Sequence, residues 1–293
     1  MRKRFLKSFN LFYRLMWSGF LIMLIVLGIT ACRSQKVHDI QKVKIVREVQ
    51  TITWWGVMSF EININNIILH IDPCFLIHRR GDYVLCSHRF TDHSGIGTKG
   101  RILTVSPNLK IIIEPENCPT TDKLMPYTKH FSKGDIFEDE YFWIKGFCGF
   151  QESEDGITYL VYDKQMGLWF FHGGDAATHR AYEDTQAAFR EVAPEKIDYY
   201  FCPLGKISIE NIKQIVLEFK PRYLIPGHYP YYVMDFSESG TTVDLFESSP
   251  YARPEYSSDY FIKTMERWIK KNRLDTKVLV LKPGAEHIII RDE

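Results

Sequence analysis

Short apolar runs with alternating polar positions dominate the first two thirds of the chain. "QTITWWG" and "SFEININNIILHID" read as a hairpin, because apolar side chains recur at every second position. "DYVLCS" and "KIIIEP" are short, strongly apolar strands, and "YFWIKGF", "TYLVYD" and "LWFFHGGD" continue the series with turn residues between them. The pattern then changes period. "THRAYEDTQAAFREVA" carries apolar residues at helical spacing, "IDYYFCPL" is a strand, and "IENIKQIVLEF" is a helix that Pro221 ends. "RYLIPGHY" is a strand running into a loop, "SSDYFIKTMERWIKKNRL" is an amphipathic helix, and "KVLVLKPG" closes with a strand. A meander followed by alternating strand and helix predicts two packed sheets with helices outside, an α/β (α+β) arrangement. Residues 232–258 show no such period and read as a long irregular stretch.

The N-terminus is different in kind. Arg2, Lys3, Arg4, Lys7 and Arg14 precede or flank the apolar run at 19–32, and residues 1–31 hold no acid. That run is shorter than the roughly 20 apolar residues of a bilayer span and has the length of a signal-peptide core. "ITAC", ending at Cys32, resembles a bacterial lipobox, which implies lipidation of Cys32. The expected organisation is a lipoprotein signal peptide over 1–31, a tether over 32–48 and one folded domain over 49–293. The expected location is the bacterial cell envelope, lipid-anchored and facing the periplasm or the cell surface. An uncleaved anchor helix is the alternative. The whole chain of 293 residues has formal charge +1. Removing the five basic residues leaves 1 − 5 = −4, so there is no general electrostatic attraction to nucleic acid.

Five further cysteines, Cys74, Cys86, Cys118, Cys148 and Cys202, are odd in number and lack C-x-x-C spacing. No disulfide framework or zinc ribbon is expected, and Cys86 and Cys202 read as buried thiols. The histidines are more informative. "DYVLCS" leads into His88, Asp92 and His93, "LWFF" into His172 and Asp175, and "RYLIP" into His228. Loops leaving neighbouring strands at the same end converge, and imidazole with carboxylate suits zinc, manganese or iron.

The order of "ITWWGVMSFEI", "ILHIDPCF", "VLCSHRFTDHSGIG", "WFFHGGDA", "YLIPGHY" and "VLKPGAEHI" resembles the metallo-β-lactamase superfamily over residues 51–289. The likeness is to its lactonase-like and phospholipase-D-like branch and implies a four-layer αββα sandwich. By that resemblance His88 matches the first histidine of H-x-H-x-D-H, Asp92 and His93 match its end, Asp175 matches a bridging aspartate and His228 a distal ligand. Phe90 replaces the second histidine, the further first-site histidine is absent, and Gly56-Val57 stands where Gly-His is common. One sub-branch has a Ser-x-Asp-x-Gly-like stretch there instead, and Ser153, Asp155 and Gly156 are similar.

The resemblance thus implies a first site reduced to His88 and Asp175, unless His172, Cys148 or Asp155 substitutes, with the Phe90 ring filling space an ion would need. The second site retains Asp92, His93, Asp175 and His228. One ion rather than two is expected, Zn2+ with Mn2+ or Fe as alternatives. The implied reaction is hydrolysis of an ester, lactone or phosphodiester in a small-molecule or lipid substrate by a metal-bound water. Asp92 or Asp175 would take the proton, and His88 or His179 would steady the anion. The competing expectation is a catalytically inactive protein of the same fold that serves as an envelope binding protein. No G-x-S-x-G elbow or glycine-rich phosphate loop offers a rival device.

Overall fold

Three strands open the domain where the apolar alternation predicts a hairpin. β1 (Thr51–Gly56), β2 (Ser59–Ile64) and β3 (Ile67–Ile71) pair antiparallel in sequence. The second of the two turns is Asn65-Asn66, and both residues adopt left-handed backbone at φ 51° and 64°. Two adjacent positive-φ residues suit a tight hairpin turn, and asparagine tolerates that region. The computed structural model describes residues 49–73, 79–148, 156–175, 197–204, 207–228 and 258–289. It also describes 232–234, 242–244, Glu183, Gln186, Phe189 and Arg190.

The first seven-stranded sheet continues through β4 (Tyr83–Leu85), β5 (Ile111–Glu114) and β6 (Thr128–His130), each parallel to its predecessor. β16 (Glu286–Ile288) returns to the free edge of β1. The second sheet holds β7 (Ile136–Glu138), β8 (Phe142–Cys148), β9 (Ile157–Asp163) and β10 (Leu168–His172) as an antiparallel run. It then becomes parallel through β11 (Tyr199–Pro203), β12 (Tyr223–Gly227) and β15 (Lys277–Val278). β13 (Tyr232–Met234) and β14 (Thr242–Asp244) form a small hairpin inside the stretch that reads as irregular.

Inward faces of both sheets meet in one core. Phe60 of β2 lies against Phe201 of β11 with ring centroids 4.3 Å apart, and Trp54, Ile71, Tyr159 and Phe170 are buried around them. Helices flank the sheets: α1 (Ile96–Val105), α2 (Ile209–Phe219) and α3 (Ser258–Lys271). α2 starts where the Ser208 hydroxyl accepts from the Asn211 amide, and it ends at Lys220 in the left-handed region before Pro221. Ile212, Ile215 and Val216 bury its apolar face in the main core. Positions 183, 186, 189 and 190 are helical, within the segment read as a helix. The arrangement is a two-sheet sandwich with outer helices. Among the described residues no helix is long and apolar enough to cross a membrane. Cys86, Cys118 and Cys202 are buried and free, and burial raises each thiol above its ordinary range.

α1 has no strong signature in the sequence, since Gly97 and Gly100 interrupt it. Packing compensates. Ile102 joins Val84, Cys86, Ile112 and Leu124 in a satellite core on the outer side of the first sheet. Beside it Lys99 is wholly buried. Its ammonium donates to the Ser94 hydroxyl (3.1 Å), the Pro119 carbonyl (2.6 Å) and the Glu114 carboxylate. Three donors with three acceptors satisfy the cation, and the arrangement ties α1 to the end of β5. Lys99→Met is expected to cost about 3–5 kcal/mol by leaving Glu114 buried without its cation. Adding Glu114→Leu should recover most of that loss in urea denaturation.

Candidate metal centre

Parallel strands leave the sheet in the same direction, so the loops after β3, β4, β10 and β12 gather at one edge of the sandwich. Asp72 comes directly after β3, residues 86–95 after β4, Asp175 after β10 and His228 after β12. The ends are tightly shaped. Phe90 O accepts from the amides of His93 (2.9 Å) and Ser94 (2.7 Å), closing a turn that aims His93 inward. Gly174, at φ 51°, lets the end of β10 approach Ser87, where an added Cβ would stand 3.1 Å from the Ser87 Cβ. Gly227 lies so close to the β1–β2 turn that a Cβ would meet Met58 Sδ at 2.7 Å and Val57 O at 2.9 Å. His228 adopts φ 58° immediately after it and donates its amide to Val57 O at 2.6 Å.

At the centre is a residue to which sequence motifs assign no role. Asp72 is fully buried, with φ 47°. One oxygen accepts from the Ser87 amide (2.5 Å). The other accepts from the Ser87 hydroxyl (2.7 Å) and from His93 Nδ1 (2.8 Å). The only hint in the sequence is an aspartate ending an apolar strand, a common turn signal. Burial works to raise this carboxyl's pKa, but the charge of His93, together with the hydrogen bond from its Nδ1, outweighs it and holds it below the usual carboxylate value.

Hydrogen bonding fixes the tautomers. Ser87 spends its one hydroxyl proton on Asp72, so its oxygen must accept from His88 Nδ1 at 2.9 Å. His88 Nε2 therefore carries a lone pair, 4.0 Å from Asp175 Oδ2. His93 Nδ1 is taken by Asp72, and its Nε2 is buried and makes no hydrogen bond. That nitrogen faces Asp175 Oδ1 at 3.4 Å and Asp92 Oδ2 at 3.6 Å, and Asp175 Oδ1 is 3.3 Å from His228 Nε2. Bonds of about 2.0–2.1 Å to a tetrahedral ion set donor atoms roughly 3.3–3.4 Å apart. The His93–Asp175 and Asp175–His228 distances match that spacing, whereas the His88–Asp175 distance is too long. Two groups of three bring ligand atoms mutually within 4.8 Å: His88, His93 and Asp175, and Asp92, His93 and His228. The orphaned, buried His93 Nε2 among carboxylates is what a cation would satisfy.

Other expected residues fall elsewhere. His172 is no substitute ligand: its Nε2 donates to Met58 O (3.0 Å) and its Nδ1 accepts from the Gly174 amide (3.2 Å). It is buried, which lowers its pKa, and it holds the backbone one residue before Asp175. Phe90 does not pack into the pocket. It is 46% exposed at the rim, with its ring perpendicular to that of His88 and centroids 5.1 Å apart. His88 presents a lone pair rather than a proton, so it is set up to meet a cation and not to steady an anion. Burial, aided by the nearby His93 charge, lowers its pKa to about 4. Cys32, Ser153, Asp155 and His179 lie outside the described residues, as does the side chain of Cys148.

No family model matches the chain, and no curated protein does. Solved structures do resemble it. A novel metallo hydrolase from Ignicoccus hospitalis superposes with TM-score 0.56 at 14% identity, covering 83% of this chain and 100% of that one. The diiron β-hydroxylase CmlA from Streptomyces venezuelae gives 0.58 at 13%, over 83% of this chain and 54% of its own. The metallo-β-lactamase fold protein YhfI from Bacillus subtilis gives 0.50 at 13%, over 82% and 97%. With two mixed seven-stranded sheets flanked by helices and a His/Asp cluster at their common edge, the chain has the metallo-β-lactamase fold.

Without an ion, burial opposes charge on His93, but Asp175 and then Asp72 prevail and raise its pKa to about 9. Because the folded value lies above the unfolded one of about 6.5, this charge stabilises the metal-free chain fully below that pH. The contribution disappears as pH rises through 9. An arriving cation must displace the proton. Titration calorimetry in buffers of different ionisation enthalpy should show the His93 proton released on ion binding at neutral pH, a share of the total release that falls away as pH rises through 9.

Proposed function

We propose that this chain is a metal-dependent hydrolase that cleaves an ester, lactone or phosphodiester bond in a small-molecule or lipid substrate. The observation that carries this reading is His93 Nε2, buried without a hydrogen bond and facing Asp175 and Asp92 at 3.4 and 3.6 Å. Asp92, His93, Asp175 and His228 would hold the ion, and Zn2+ suits this donor set while Mn2+ or Fe also fits. When bound, such an ion polarises a substrate oxygen and brings the pKa of a water to about 7. The likeness to a metallo hydrolase from Ignicoccus hospitalis supports the reaction class.

The chain's own residues divide the remaining work. Asp72 holds His93 at Nδ1, which fixes the ring and raises its basicity toward a cation at Nε2. Asp92, whose side chain is 38% exposed, is the carboxylate that meets solvent and substrate, and its Oδ2 can take a proton from an attacking water. Asp175 is almost wholly buried and faces both His93 and His228.

Hydrolysis of p-nitrophenyl acetate and bis(p-nitrophenyl) phosphate by purified protein tests the reading. Activity on one of them should vanish with chelator and return with Zn2+ or Mn2+. Asp92→Ala and His228→Ala should each lower kcat/KM by about 100-fold or more, with thermal unfolding still cooperative. If metal-loaded protein turns over neither substrate, and retains one ion while doing so, the inactive binding protein becomes the better account.

We also propose that the protein is anchored to the bacterial envelope through Cys32, on the support of the basic and apolar leader and "ITAC". Cys32→Ser should move the protein from the membrane fraction to the soluble or unprocessed form on fractionation. An unchanged distribution would favour an uncleaved anchor.

A further inference from the structure

His93 belongs to both three-residue groups at the sheet edge. One joins it to His88 and Asp175, the other to Asp92 and His228. An imidazole has two nitrogens, and here one is committed: Nδ1 donates to Asp72 at 2.8 Å. Only Nε2 remains, with a single lone pair. That atom is 3.4 Å from Asp175 Oδ1 and 3.6 Å from Asp92 Oδ2, and it makes no hydrogen bond. One lone pair coordinates one cation. The two groups therefore cannot be filled together.

The geometry points to His93 as the common ligand of two overlapping and mutually exclusive cation sites, so that the chain holds one divalent ion with two alternative seats. This rests on the metal-dependent reading above and deepens it. The seats are unequal. Asp175 Oδ1 stands 3.3 Å from His228 Nε2 and 3.4 Å from His93 Nε2, close to the tetrahedral edge, whereas His88 Nε2 is 4.0 Å from Asp175 Oδ2. The ion rests on the His228 side and can pass to the His88 side. Its companions suit that shift. The Asp175 oxygens face different histidines, Oδ1 toward His228 and Oδ2 toward His88, so one carboxylate can accompany the ion. His88 and His93 are near neighbours, with ring centroids 4.0 Å apart. The Ser87 hydroxyl sets the His88 lone pair at Nε2 while bonding the same Asp72 that orients His93. One buried serine and one buried aspartate prepare both seats.

Ion stoichiometry and affinity decide the matter without recourse to catalysis. Purified protein, stripped and then titrated with Zn2+ or Co2+, should bind one ion per chain even with metal in large excess. His88→Ala should keep one ion with affinity within about tenfold of the parent, since it removes the looser seat. His228→Ala should also keep one ion, now bound more weakly and with an altered Co2+ absorption spectrum as the ion takes the His88 seat. Removing a direct ligand should exceed the roughly 10–100-fold loss typical of outer partners, so His88→Ala/His228→Ala and His93→Gln should each fall below detectable binding. Two ions bound at once to the parent would overturn the shared-ligand inference while leaving the metal-dependent reading intact. So would complete loss of binding in His228→Ala alone, or retained binding in a folded His93→Gln. Failure of the parent to bind either metal would end both. Should His93→Gln not fold, the two single variants and their combination still decide.

Discussion

One carboxylate organises the edge of the sandwich. Asp72, sealed from water at the end of β3, accepts from the Ser87 amide, the Ser87 hydroxyl and His93 Nδ1. An ionised carboxylate without water is tolerated only when its lone pairs are met by donors and its charge by a cation. Those requirements constrain everything near it. The serine must sit at the start of the 86–95 turn, and His93 must present Nδ1 inward. Its remaining nitrogen is then forced to face Asp175 and Asp92. The orientation of the candidate ligands is thus a consequence of satisfying one buried charge at the end of β3.

Three of the described non-glycine residues with positive φ lie at the same edge. Val57, Asp72 and His228 all adopt positive φ. Each would relax if its surroundings allowed, and each is held by a contact to a neighbouring strand end or turn. The β1–β2 turn does much of this holding, since Val57 O takes the amide of His228 and Met58 O takes the ring of His172. A hairpin with no ligand of its own therefore sets two histidines, one of which faces Asp175 while the other steadies the backbone before it.

Much of this edge is legible in the sequence, for a local reason. Asp92 and His93 are adjacent, and His88, Asp175 and His228 each come after an apolar strand that announces itself by period and composition. Two sheets with outer helices are visible in the same way, because a meander gives way to alternating strand and helix. The partners are not legible. His172 shares its segment with Asp175 and reads equally well as a ligand until Met58 O and the Gly174 amide are seen to occupy both nitrogens. Lys99 lies in a glycine-interrupted helix and carries no sign of burial, yet Ser94, Glu114 and Pro119 enclose it. Phe90 reads as an obstruction and proves to lie at the rim.

Residue order alone thus determined which segments become strands and that their polar ends carry histidine and aspartate. Those properties are written in short-range spacing. Tertiary structure decided which nitrogen of each histidine is spent, which acid is buried, and which neighbours compete for one lone pair. Such matters depend on atoms brought within hydrogen-bonding distance from strands in both sheets, and hydrogen-bond direction and burial exist only once those strands have packed.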